Sequence, residues 1–175
     1  MLTDLGAEVI KVEAPVGDLG RLPSVAPYKH LSGLFLTFNR NKKSIVIDLK
    51  TEDGLAVFYD LVKTADIVVD NFRPGVLAKL NVDYDDLKVI NPRIIQCSVT
   101  GFGLEGEYKD LPALDIIIQS ISGLLSITGE KDGPPARVGI PISDLGGGIF
   151  SAQGLLAALY EREKTGVGRR LEVSM

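Results

Sequence analysis

The chain reads as an α/β protein built on a doubly wound, mostly parallel sheet with helices on its faces. Two observations predict this. Apolar, strand-like runs alternate with helix-like amphipathic runs along the 175 residues. One handover, Val138-Gly139-Ile140-Pro141-Ile142-Ser143-Asp144 followed by Leu145-Gly146-Gly147-Gly148, puts a carboxylate where a strand gives way to a helix N-terminus.

Taken in order, residues 7–12 and 44–49 read as strands, the second rich in β-branched side chains. Residues 51–63 read as a helix, with Thr51 as its cap and Glu52 and Asp53 in the first turn. Its apolar positions Leu55, Val57, Phe58, Leu61 and Val62 recur at helical spacing. A short buried strand is expected over residues 66–70. Asn71-Phe72-Arg73-Pro74-Gly75 is then a loop into a short helix, with Pro74 suited to the first turn. Residues 84–89 are helical, Asn91-Pro92 punctuates, and residues 93–99 return as strand. Helices over 113–125 and 144–164 precede a last strand, Arg170–Ser174. Residues 103–111 and 129–135 read as surface loops.

Composition excludes several classes. A hydrophobic content of 45% is enough to bury one core, so residues 1–175 are expected to form one domain or most of one. A net charge of −4 argues against a general nucleic-acid binder. No basic n-region with an apolar h-region opens the chain, and no stretch reads as long enough to span a bilayer. The single cysteine, Cys97, lies in an apolar run and reads as a small buried hydrophobe. One cysteine allows no disulfide within the chain, which fits a cytoplasmic protein. With one histidine, His30, nothing clusters like a metal site.

Gly101-Phe102-Gly103-Leu104-Glu105-Gly106 matches the dinucleotide fingerprint G-x-G-x-x-G and follows a strand. The fingerprint also needs a helix starting inside it, yet Glu107-Tyr108-Lys109-Asp110-Leu111-Pro112 comes next, short, polar and closed by proline. The glycines are therefore expected to shape a loop at a strand's C-terminal end. Asp144 has two readings, an ordinary helix cap or an exposed nucleophile. Asp115 likewise reads as a helix cap after Pro112, with Gln119 one turn on along the same face, or as part of a site.

Several blocks in order resemble the class III CoA-transferases, the CaiB/BaiF-type family that includes formyl-CoA and carnitine CoA-transferases and acyl-CoA racemases. They are Asp4-Leu5-Gly6-Ala7-Glu8-Val9-Ile10-Lys11-Val12-Glu13, Asn39-Arg40-Asn41-Lys42-Lys43-Ser44, Asn71-Phe72-Arg73-Pro74-Gly75 and Asn91-Pro92-Arg93-Ile94-Ile95. Ser98-Val99-Thr100-Gly101-Phe102-Gly103, residues 115–129, and Glu163-Lys164-Thr165-Gly166-Val167-Gly168-Arg169-Arg170 complete the set.

The resemblance implies a Rossmann-like large domain and transfer of CoA from an acyl-CoA donor to a carboxylic acid. It makes Asp144 the nucleophile, forming an aspartyl anhydride and then an aspartyl-CoA thioester. Asp115 matches an acidic position near that nucleophile. Asn71, Phe72, Arg73 and Lys79 match the region that holds the CoA nucleotide, with Phe72 for stacking and Arg73 or Lys79 for phosphate. Gly146 and Gly147, with Gly148, are expected to admit CoA and to lend backbone donors to a developing oxyanion. Arg40, Lys42 and Lys43 either serve CoA phosphates or simply solvate a strand end. CoA is a substrate here, so no permanently bound cofactor, metal, nucleic acid or membrane is expected.

Two departures narrow the reading. Related racemases place a histidine before the acidic residue of the Asp115 block, where this chain has Leu114, and leucine cannot lift a proton α to a thioester. Ala14 stands where some transferases carry a basic residue. Family members are considerably longer, so the chain reads as the N-terminal part of the large domain, without the small domain, and inactive alone. In relatives two chains interlock as a homodimer. A non-catalytic CoA-binding fragment is the alternative outside enzymology.

Overall fold

The computed structural model describes residues 1–22 and 31–175, so His30 lies outside the described residues. In chain order the elements are β1 (Val9–Glu13), α1 (Gly33–Phe38), β2 (Lys42–Val46), α2 (Glu52–Val62), β3 (Ile67–Asp70), α3 (Val76–Lys79) and α4 (Tyr84–Ile90). Then come β4 (Ile95–Thr100), α5 (Asp115–Ile121), α6 (Ile142–Thr165) and β5 (Arg170–Ser174), with short 3₁₀ turns at Leu2–Leu5, Leu19–Arg21 and Leu124–Ile127. The chain divides into two compact units, Met1–Leu61 and Val62–Met175.

The strand pairings among the described residues, β1 with β2, β3 with β4 and β4 with β5, are parallel, in keeping with the α/β expectation, and they fall in two sheets. In the first unit β1 pairs with β2, Val9 opposite Lys42 and Glu13 opposite Val46. β2 therefore begins two residues before the apolar run that predicts it, and residues 47–49 fall outside it. Charged pairs tie the two sequence blocks that form this ladder. Arg40 makes two bonds to Asp4, of 2.9 and 2.8 Å, and Lys43 Nζ lies 2.5 Å from Glu8. Lys42 donates to Asn39 at 3.1 Å, and burial and nearby Lys11 lower its pKa. Two members of the expected phosphate-binding cluster are thus paired with carboxylates.

Among the described residues of this unit Glu13 is the buried charge, 4% exposed. Arg21 grips it with bonds of 2.7 and 2.6 Å, and Ser44 Oγ adds one of 2.7 Å. The guanidinium also sits 4.2 Å above the Phe35 ring, where the ring's negative face favours the cation.

In the second unit β4 is central, flanked by β3 and β5. Ile94, Ile95 and Cys97 are fully buried, and desolvation pushes the Cys97 thiol pKa up. α6 packs on β4 and β5. A Cβ on Gly147 would lie 3.4 Å from Val99 and Met175, and one on Gly154 3.7 Å from Leu171. At 24 residues, α6 is long and apolar enough to cross a membrane by length and composition, which corrects the expectation that no stretch reaches that length. Here it lies on the sheet and buries Arg162. Gly168 has a stricter reason to be glycine. A Cβ there would fall 1.9 Å from the Ile94 carbonyl oxygen, where the chain turns into β5.

Helix ends follow local chemistry. Thr51 Oγ1 accepts from Gly54 N at 3.1 Å, the expected cap of α2. Asp83 and Asp86 form a reciprocal capping box on α4. α6 ends at Gly166 in the left-handed region, φ 73°. Pro74 precedes α3 instead of opening its first turn; Gly75 takes the cap position at φ 78° and the helix begins at Val76.

Candidate active site

The Asp144 helix begins differently from the sequence expectation. Residues 138–141 are not a paired strand, because Gly139 and Pro141 break the run and its backbone groups bond elsewhere. α6 starts at Ile142 with Pro141 at the cap position, and proline has no side-chain acceptor to offer. Asp144 is therefore the third residue of the first turn, not its cap.

The missing cap comes from another helix. Asp115 Oδ1 accepts from Ser143 N at 2.8 Å and from Asp144 N at 3.4 Å. Asp115 opens α5 yet makes no cap bond to its own helix, whose cap position is Leu114. The expected local cap is thus a tertiary one, and it brings the two predicted acids together. Its second oxygen takes a 2.5 Å bond from Gln119 Nε2. Gln119 is fully buried; its Oε1 accepts from Val138 N at 2.9 Å, and its Nε2 also reaches Ile140 O at 3.5 Å.

Asp144 itself is an exposed residue. Desolvation of its carboxyl, and then the neighbouring Asp115 charge, raise its pKa above the ordinary value of 3.8. A raised pKa makes a carboxylate more basic, and so a better nucleophile once ionised. The glycines beyond it divide by face. Gly147 is buried toward the sheet, while a Cβ on Gly146 or Gly148 would meet nothing within 4 Å among the described residues. All three lie inside α6, so α-helical pairing already commits their N–H groups to carbonyls four residues back. The oxyanion-donor role expected of them thus meets N–H groups already paired within the helix.

The second group of predicted residues gathers at the carboxyl end of β3. Asn71 Nδ2 donates 2.5 Å to Val99 O. Val99 is also the side chain against Gly147, so the Asn71 loop and the Asp144 helix rest on one residue of β4. Phe72 is 46% exposed. Phe72 and Arg73 border a depression of about 190 Å³, shared with Asp70, Ser98, Leu104 and Arg170. Asp70, not singled out in the sequence, accepts from Ser98 Oγ at 2.7 Å and from Phe72 N at 3.2 Å, and desolvation raises its pKa. Lys79 is exposed in the last turn of α3.

Turns, not a helix, run through Gly101–Gly106, and the next helix starts at Asp115. Gly103 N bonds to Thr100 Oγ1 at 2.9 Å, and Leu104 N donates to the Glu172 carboxylate of β5. Among the described residues, no three of His, Cys, Asp and Glu gather as metal ligands.

Over residues 1–175 the chain matches the model of CoA-transferase family III. It belongs to that family. It is 47% identical to the acetyl-CoA:oxalate CoA-transferase of Acetobacter aceti, an alignment covering 100% of this chain and 45% of that enzyme. It is 42% identical to the succinate–glutarate CoA-transferase of Agrobacterium fabrum, covering 100% and 46%. The crystal structure of a CaiB/BaiF family protein from Brucella suis superposes with a TM-score of 0.92 at 40% identity, over 97% of this chain and 46% of that one. The chain thus spans less than half the length of these relatives. CoA and acyl-CoA are substrates in this family of transferases.

Proposed function

We propose that this chain carries the nucleophile of an acyl-CoA:carboxylate CoA-transferase, and that Asp144 is that nucleophile. The observation behind this is an exposed, raised-pKa carboxylate in the first turn of α6, beside the open faces of Gly146 and Gly148. The Asp144 carboxylate attacks the thioester carbonyl and expels CoA thiolate, leaving a mixed anhydride. The thiolate attacks the Asp144 carbonyl, releasing the donor acid and leaving an aspartyl-CoA thioester. An acceptor carboxylate then displaces the thiolate to form a second anhydride. Thiolate attack on the acceptor acyl carbon yields the new acyl-CoA and restores Asp144. Each step exchanges one acyl bond for another, so no oxidant or reductant enters.

Asn71, Phe72, Arg73 and Lys79 hold the nucleotide end of CoA in this reading, with Phe72 and Arg73 offering a stacking face and a phosphate donor. Exposed Ile116, Ile121, Phe150 and Leu156 support an assembly of two chains. The cytoplasm is the compartment where CoA thioesters and a lone free thiol fit together. Leu114 is 67% exposed and apolar, which tells against a racemase needing a base at that position.

Intact-mass spectrometry after incubation with a panel of acyl-CoAs tests the reading. A CoA adduct that hydroxylamine removes and that Asp144→Ala lacks is expected. An adduct of equal yield in Asp144→Ala would rule out the assignment.

A further inference from the structure

We infer that Gln119 is a positioning residue for the reaction on Asp144, acting through Asp115; the inference rests on the nucleophile reading above. Gln119 stands in an apolar stretch, Ile116-Ile117-Ile118-Gln119, and is wholly buried. A primary amide placed there costs free energy unless its donors and acceptor are met. They are met by one set of partners, two on the segment leading into α6 and one the carboxylate that caps it. The oxygen accepts from Val138 N, and the nitrogen reaches Ile140 O and Asp115 Oδ2.

Gln119 thereby fixes two things. It anchors the segment that leads into Pro141, and it orients the Asp115 carboxylate. The other oxygen of Asp115 then holds the N–H groups of Ser143 and Asp144. α6 has no side-chain cap of its own, so this relay is what sets the first turn and with it the backbone of Asp144. Nucleophilic attack needs the reacting atoms aligned to within fractions of an ångström, and misplacement by about 1 Å costs on the order of 100-fold in rate. Binding of the distant nucleotide end of CoA draws on the Asn71–Arg73 loop and is left alone. The geometry therefore assigns Gln119 to kcat.

The test uses the intact protein containing this chain, with Gln119→Met, which keeps size and removes every bond, and Gln119→Glu, which keeps the acceptor for Val138 N but sets a second carboxyl against Asp115. Both are expected to lower kcat by roughly 10- to 100-fold, with KM for acyl-CoA within about twofold. Hydrogen exchange at the Ser143 and Asp144 amides should quicken in Gln119→Met. The decisive comparison is a double-mutant cycle: in an Asp115→Ala background, Gln119→Met should cost clearly less in kcat than it does in the parent, because only its hold on Val138 and Ile140 is left to lose. Additive losses, a change confined to KM, or unchanged exchange would each overturn the relay. Asp144→Ala, run alongside, separates the two ideas. If it keeps activity and adduct the nucleophile reading fails, whereas exchange at Ser143 and Asp144 still reports on the relay alone.

Discussion

Gly148 stands one helical turn beyond Asp144 on the same face of α6, and the space its side chain would take is empty among the described residues. Glycine in a helix interior is about 1 kcal/mol worse than alanine, so something other than stability accounts for it there. Gly148→Ala is expected to raise the unfolding free energy by about 0.5–1 kcal/mol, read by urea denaturation, while slowing formation of the CoA adduct. An alanine variant that is more stable and equally fast would show that the open face plays no part in substrate approach.

Asp144 should lower the stability of the fold at neutral pH. Its folded-state pKa is raised, by desolvation first and Asp115 second, so the folded state prefers the protonated acid. That preference stabilises fully below the ordinary value of 3.8 and is lost as the pH rises through the folded value. Asp144→Asn should therefore melt higher than the parent at pH 7, with the gap closing as the pH falls below 3.8. Scanning calorimetry across that range checks the sign.

Glu13 behaves oppositely. Arg21 foremost, opposed by burial and helped by Ser44, holds its pKa at about 2 against an ordinary 4.5. The stabilisation is complete above 4.5 and disappears as the pH falls through about 2. Broken buried pairs cost about 3–5 kcal/mol, but the Arg21 side chain is 36% exposed, so Glu13→Gln should cost about 2 kcal/mol. Limited proteolysis within residues 1–61, followed against pH, should lose its acid sensitivity between 4.5 and 2 in that variant.

Arg162 anchors the far end of α6. It donates to the carbonyls of Asp66 and Arg93 at 3.3 and 3.1 Å and to the Asp66 carboxylate at 2.7 Å, while its Nε–H finds no acceptor among the described residues. Asp66 is 72% exposed, so the ionic part counts for little and the carbonyl bonds matter more. Arg162→Ala should cost about 2–3 kcal/mol, and Arg162→Lys should recover only part, because an ammonium lacks the guanidinium's fork. Urea midpoints at constant m-value would show it.

What the sequence disclosed depended on the range of the interaction. Arg170–Ser174 and the Thr51 cap follow from neighbours within a few residues, and both stand as expected. The apolar run before Asp144 misled, because period and β-branching cannot reveal that Gln119, nineteen residues earlier, takes its Val138 N–H. β2 begins at Lys42 because the ladder with β1 starts there, Val9 opposite Lys42, a pairing across more than thirty positions that no local pattern encodes. Asp115 and Asp144 were each visible as acids near helix starts. That one caps the other's helix is a contact across twenty-nine positions. The polar Gln119 among isoleucines was the available clue, since a buried amide requires partners.

Cys97 gives the second unit a built-in clock. It is the chain's one cysteine, on the central strand, wholly shielded and with a thiol that resists ionisation. A thiol reagent can reach it only when the sheet and α6 part, so the rate of modification in native buffer counts those openings directly. Acyl-CoA that binds this unit would slow that count, and the readout needs neither a mutation nor an assay of turnover.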